Sequence, residues 1–115
     1  MMSNNTVVLI AGDVLGQGDD DLGQALMLAA IKNLGKAEGG VPSHILFMNN
    51  GVRLCCEGAA SIADLKVLAD AGTQLLSCGT CLDWFELKDN LAVGAESNMV
   101  EILSLMNGAG RVVRL

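Results

Sequence analysis

The chain contains no tyrosine, one tryptophan and two phenylalanines, so aromatic residues make up only 3% of its 115 positions. Proteins that grip single-stranded nucleic acid stack bases on aromatic rings, and few rings are on offer here. Cations are scarce as well: seven Lys and Arg stand against thirteen Asp and Glu, a net charge of −6. Binding a polyanion depends on neutralising its phosphates, so nucleic acid is excluded as the expected partner. There is one histidine, His44. It falls at the start of a predicted strand, away from the cysteines, which removes a Cys–His pair and any Ser–His–Asp set. Long apolar runs are missing too. The longest candidate, Ala25 to Ile31, is far short of the ~20 residues a bilayer span needs. Met1-Met2-Ser3-Asn4-Asn5 carries no basic segment, and Val7 to Gly12 is too short for a signal peptide. The expectation is a cytoplasmic protein with no membrane association.

What is present is an apolar interior. Hydrophobic residues make up 51% of the chain and charged residues 17%. The length predicts one domain over residues 1–115. An apolar fraction this high, with so few surface charges, predicts a homo-oligomer in which part of the surface meets another subunit. Four cysteines occur, Cys55, Cys56, Cys78 and Cys81. In a reducing compartment they point to thiol chemistry or a metal rather than to a disulfide framework.

Along the chain, strand and helix patterns alternate. Thr6 to Gly12 is a β-branched and aliphatic run that reads as a strand buried on both faces. A glycine-punctuated loop, Asp13 to Gly18, leads to Asp19-Asp20-Asp21, which opens a helix by capping free backbone N–H groups. That helix runs to about Leu34, and its middle is apolar nearly all round. One face fits a sheet and the other needs a different cover. His44 to Met48 is a second strand, ended by Asn49-Asn50-Gly51. Val52 to Gly58 reads as loop or a short extended piece, and a helix follows from about Ala59 to Ala71. Thr73 to Ser77 is the third strand. A short helix is predicted over Leu82 to Leu87, a fourth strand over Leu91 to Gly94, and a last helix from Glu96-Ser97-Asn98. That helix places Met99, Ile102, Leu103 and Met106 on one face, and Arg111 to Leu115 closes the sheet. The alternation predicts an α/β sandwich around a largely parallel sheet.

Ligands of open parallel sheets sit at the carboxyl ends of the strands. The segments there are Asp13 to Gly18, Asn49 to Cys56 and Cys78 to Cys81, so all four cysteines fall on that edge. Cys78-Gly79-Thr80-Cys81 sets two sulfurs within exchange distance. A turn opening a helix favours thiolate, the nucleophile toward persulfides and disulfides. Inert packing of small apolar side chains is the other reading. Cys55 and Cys56 are adjacent, so their side chains diverge in an extended chain. A four-thiolate zinc site is therefore strained, and neither metal nor cofactor is expected. One of the two could relay sulfur to Cys78, the other filling space. Arg53, in the same loop, is either a cation that steadies an anionic sulfur or a solvated surface residue. The glycine loop lacks the dinucleotide spacing and the Walker lysine, so helix capping accounts for it better than a nucleotide.

Three segments carry a resemblance: Gly51-Val52-Arg53-Leu54, Leu76-Ser77-Cys78-Gly79-Thr80-Cys81-Leu82-Asp83 and Gly94-Ala95-Glu96-Ser97-Asn98-Met99. With Leu15 to Gly23, they resemble the DsrE/DsrF-like sulfur-relay family, and most closely the DsrE-like domain of YedF-type proteins associated with selenium metabolism. The resemblance covers nearly the whole chain. It implies a three-layer α/β/α sandwich with a five-stranded, mainly parallel sheet and assembly into homo-oligomers. It also implies sulfurtransferase-like chemistry, with sulfane sulfur carried as a persulfide on a cysteine ending the third strand. Cys78 holds that position, and Cys81 is then the resolving thiol. Cys55, Cys56, Arg53, Gly51, Gly79 and Thr80 are the supporting residues. YedF-type proteins carry an N-terminal TusA-like domain. The sequence begins at the DsrE-like strand, so a TusA-like donor or acceptor is expected to be a separate protein. The alternatives are a non-catalytic oligomeric module with structural cysteines and a metal-binding cysteine site.

Overall fold

The computed structural model describes residues 5–115. Five strands form one sheet in the order β4-β3-β2-β1-β5: β1 Thr6–Ile10, β2 His44–Phe47, β3 Gln74–Cys78, β4 Ala95–Ser97 and β5 Arg111–Arg114. Every pairing is parallel. The helices are α1 Asp20–Asn33, α2 Ile62–Asp70, α3 Gly79–Trp84 and α4 Met99–Gly108, with 3-10 helices at Asn49–Cys55 and Lys88–Asn90. Among the described residues no helix is long and apolar enough to cross a membrane.

The local signals act where the sequence puts them. Asp19 caps α1, its carboxylate accepting the Leu22 N–H at 2.9 Å, and Asp20 and Asp21 occupy the first turn. Asn98 caps α4 in the same way, accepting the Glu101 N–H at 2.9 Å. These caps satisfy donors that the helix itself leaves unpaired.

Strand alternation divides the interior into two clusters. Val8, Ile10, Ile45, Phe47 and Leu75 face α1 and α2, joined by Met27, Ile31, Leu65 and Leu68. Val7, Leu46, Leu76 and Cys78 face the other way, and Ile102 of α4 packs on them. A single ten-residue helix, α4, thus lies over that second cluster.

Five elements differ from the predicted pattern. The Val52–Gly58 region is the end of a buried 3-10 helix rather than a loop or extended piece. Gly51 is the reason. A Cβ there would sit 2.3 Å from the Ile10 carbonyl oxygen, so only glycine lets this helix lie against the end of β1. Helix α2 starts at Ile62, because Ser61 is turned inward and its hydroxyl donates to the Leu54 carbonyl at 2.6 Å. Helix α3 begins directly at the strand end, at Gly79. The fourth strand is Ala95–Ser97, not Leu91 to Gly94. Gly94, at φ 79°, turns the chain onto β3, where a Cβ would meet the Leu75 carbonyl at 2.5 Å. Leu91 instead bridges Cys56 in antiparallel fashion. On α4 the predicted apolar face is split: Ile102 is buried, while Met99 and Leu103 are about half exposed, at 46% and 51%.

Candidate functional site

The parallel register sets the site. Phe47 of β2 pairs with Ser77 of β3, so the residues leaving the two strands emerge side by side. Cys78 is the last residue of β3 and the cap position of α3, and it is 1% exposed. One turn of α3 later, Cys81 comes back toward the end of β2. There the backbone N–H of Asn49 donates to the Cys81 sulfur at 3.1 Å. Asn49 is held in the left-handed region, φ 51°, and its side-chain oxygen accepts the Asn50 N–H at 2.9 Å. Asparagine tolerates that conformation better than most residues.

Cys81 is only partly buried. It lines a hollow of about 230 Å3 together with Asn49, Thr80, Trp84 and Phe85. Cys78, three residues earlier at the strand end, neighbours it and acts on its thiol. Burial pushes the Cys81 thiol above its ordinary range, the Asn49 N–H pulls it back, and the neighbouring Cys78 pushes it up again. The arrangement is a partly buried cysteine with one fixed N–H donor to its sulfur and a buried cysteine beside it. Thiol exchange needs that adjacency, since each transfer is an attack of one sulfur on another.

Cys55 and Cys56 are placed elsewhere. Cys55, at the end of the 3-10 helix, is fully buried in the cluster facing α1 and α2. Burial pushes its thiol up to about 12, against a smaller lowering by a hydrogen bond with Ser77. Ser77 and Cys78 are neighbours on one strand and point to opposite faces. Cys55 therefore reaches the residue next to Cys78 while lying on the other side of the sheet from it. The buried Cys56 donates from its sulfur to the Val52 carbonyl at 3.3 Å. Its thiol is likewise raised, chiefly by burial, with Arg53 opposing. Among the described residues no three His, Cys, Asp or Glu side chains come together to hold a metal ion.

Of the remaining predicted residues, Thr80 lines the Cys81 hollow. Gly79 is packed under β4, where a Cβ would lie 2.7 Å from a Glu96 carboxylate oxygen. Gly51 serves the close approach to Ile10 described above. Arg53 stacks its guanidinium 4.4 Å from the centre of the Phe85 ring, and its Nε donates to Asn50 Oδ1 at 3.1 Å. It braces the ring that walls the Cys81 hollow. Sequence reasoning missed Asn49, Trp84 and Phe85. Asn49 read as a strand terminator within the Asn49–Cys56 segment of that edge, without a role of its own. Its position just past β2 was the available signal, because a parallel neighbour of β3 must end beside Cys78.

No family model matches the chain, and no curated protein matches it. Solved structures do. The crystal structure of the ychN protein from E. coli is 19% identical, with a TM-score of 0.73, over 99% of this chain and 100% of that one. A protein of unknown function from Methanobacterium thermoautotrophicum, MTH1491, is also 19% identical, with a TM-score of 0.67, over 96% of this chain and 97% of that one. The class that the sheet and these likenesses define is the DsrE-like α/β/α fold.

Proposed function

We propose that this chain is a sulfur-relay protein that carries sulfane sulfur as a persulfide on the Cys78–Cys81 pair. The observation that supports it is the partly buried Cys81 in its hollow, its sulfur held by the Asn49 N–H at 3.1 Å and the buried Cys78 beside it. Burial divides the roles. Cys81 meets the donor first: its thiolate attacks the outer sulfur of a donor persulfide, the donor S–S bond breaks, and the donor leaves as a thiol. Cys78 thiolate then attacks the outer sulfur of the Cys81 persulfide. The sulfane sulfur passes to the strand-end cysteine and Cys81 returns to a thiol, with no net oxidation. If Cys78 attacks the inner sulfur instead, a Cys78–Cys81 disulfide forms and sulfide leaves, the two thiols supplying the two electrons.

The donor in this reading is a separate small persulfide-bearing protein, TusA-like in kind, and the setting is the reducing cytoplasm, where both thiols stay available. Selenium could ride the same pair by the same chemistry, as the resemblance to YedF-type proteins suggests. The chain works as a homo-oligomer, with a second copy covering the apolar residues on α4. On α4 itself Val100 is 77% exposed, and Met99 and Leu103 are about half exposed. Such a patch on a small chain favours association.

Mass spectrometry after incubation with a sulfane-sulfur donor tests this. Wild type gains the mass of sulfur. Cys81→Ser gains none, and in Cys78→Ser the added sulfur maps to Cys81 alone. A wild type that takes up no sulfur ends the proposal in favour of an interaction module with structural cysteines, and a Cys81→Ser variant that loads as wild type does overturns Cys81 as the entry thiol and leaves Cys78 as the carrier.

A further inference from the structure

A second hollow, of about 280 Å3, opens on the same carboxyl edge of the sheet, between α1 and the Asn49–Cys55 helix. Asp13, Gln24, Arg53 and Ser61 contribute its polar lining, and Leu28 and Leu54 are part of its apolar lining. The thiol reading uses none of this space. Its volume lies just below the ~300–1,000 Å3 of pockets for drug-sized ligands, which suits a small metabolite.

The charges of this hollow are unspent. Among the described residues the one ion pair is Lys88–Glu96, so neither Arg53 nor Asp13 is within 4.0 Å of an opposite charge, including each other. Arg53 is nevertheless not loose. Its Nε is committed to Asn50 and its plane to the Phe85 ring, which leaves the two terminal nitrogens as donors on a held side chain. A guanidinium fork of that kind matches a carboxylate bidentately, and holding it in place beforehand removes part of the ordering cost of binding. Ser61 is 1% exposed and donates its proton to the Leu54 carbonyl, so its oxygen still has lone pairs to accept with. One hollow thus offers a fixed fork of donors and, apart from it, a carboxylate, with apolar side chains between helix and sheet.

We infer that this hollow binds a free α-amino acid with an apolar side chain. Arg53 takes the ligand carboxylate, Asp13 takes the ammonium, and the side chain lies against Leu28 and Leu54. The site shares a wall with the thiol hollow, since the Phe85 ring that lines the latter is the ring on which Arg53 rests. The inference does not depend on sulfur chemistry.

Calorimetric titration of the whole chain with L-methionine under reducing conditions tests it, because that ligand has no thiol to exchange. The expected result is saturable binding. The same molecule without its amino group, and the same molecule without its carboxylate, each bind roughly tenfold more weakly or worse, the loss expected for a hydrogen-bonded charge. Arg53→Gln and Asp13→Asn reproduce these losses for methionine itself, with a cooperative thermal transition well above the titration temperature to show that the variants are folded. Absence of saturable binding by wild type overturns the inference, and so does an Arg53→Gln variant that binds as tightly as wild type. Sulfur loading is read separately by mass, so either reading can fail while the other stands.

Discussion

The two cysteine pairs of this molecule sit at the same edge of the same sheet and have opposite surroundings. Cys55 and Cys56 end a 3-10 helix that is pressed against β1, and both sulfurs are buried with their thiols pushed up. Cys78 and Cys81 span the strand-to-helix step of β3 and α3, neighbour each other, and bring one sulfur to a hollow. The difference teaches that solvent access is set by the element each cysteine sits on: of the four, only Cys81, one turn into α3, is not buried. Ser77, bonded to Cys55, and Cys78, beside Cys81, are consecutive residues.

The sharpest way to break this comparison is chemical labelling. Cys81 should react with iodoacetamide in the native protein, whereas Cys55 and Cys56 should wait for the fold to open. That protection is on the order of a thousandfold or more for a domain of ordinary stability. Peptide mapping over time reads it, and comparable labelling of all four cysteines would remove the distinction.

Gly51→Ala comes next, because it strikes the helix that serves both pairs. With a Cβ aimed 2.3 Å from the Ile10 carbonyl oxygen, the helix must shift, at a cost of about 3 kcal/mol. Urea denaturation gives the loss, and labelling of Cys55 should accelerate in the same variant. An unchanged urea midpoint would mean that the helix is not held against β1 in the way described.

The pH response separates the pairs more finely. The Cys55 thiol ordinarily titrates near 9.0 and is pushed up to about 12 in the fold. Above pH 9 the unfolded chain gives up this proton and the folded one keeps it. Stability from this group is therefore whole below pH 9 and is lost as pH rises toward 12, at on the order of 1.4 kcal/mol per pH unit. Cys55→Ala should flatten that alkaline slope, as followed by thermal melting at a series of pH values. Cys81 is raised as well but meets solvent. Its alkylation rate should climb about tenfold per unit from about pH 7 to 9 as thiolate grows. A rate that levels off near neutrality would instead mark a thiol lowered into that range.

Arg53→Gln should have the smallest effect. Losing its stack on Phe85 costs about 0.5–1 kcal/mol and should leave the labelling contrast intact. Collapse of that contrast would show that the Phe85 wall, not burial, decides which sulfur is reached.

Much of this was legible in the chain. Asp19 and Asn98 announce helix starts through chemistry confined to three residues, and both caps form. The β1, β2 and β3 runs are strands because their aliphatic content admits burial on both sides. The fourth strand was misplaced for an equally local reason. Leu91 to Gly94 carries the apolar pattern, but Gly94 is spent on a turn against Leu75, so pairing begins only at Ala95. The 3-10 helix was hidden because a seven-residue helix buried on Gly51, Val52, Leu54 and Cys55 shows no amphipathic period.

By itself, then, the sequence determined the alternation of strands and helices, their caps, and the presence of Cys78 and Cys81 at a strand end. Backbone propensity, capping and side-chain alternation act over a few residues and need no partner segment. Only the tertiary structure decided which sulfur meets solvent, that Cys55 lies across the sheet from Cys78, and that the Asn49 N–H reaches Cys81 from 32 residues away. Those facts follow from how β2 and β3 register in parallel and from which layer covers each face. No short stretch of chain carries that information, because it belongs to the packing of segments far apart in sequence.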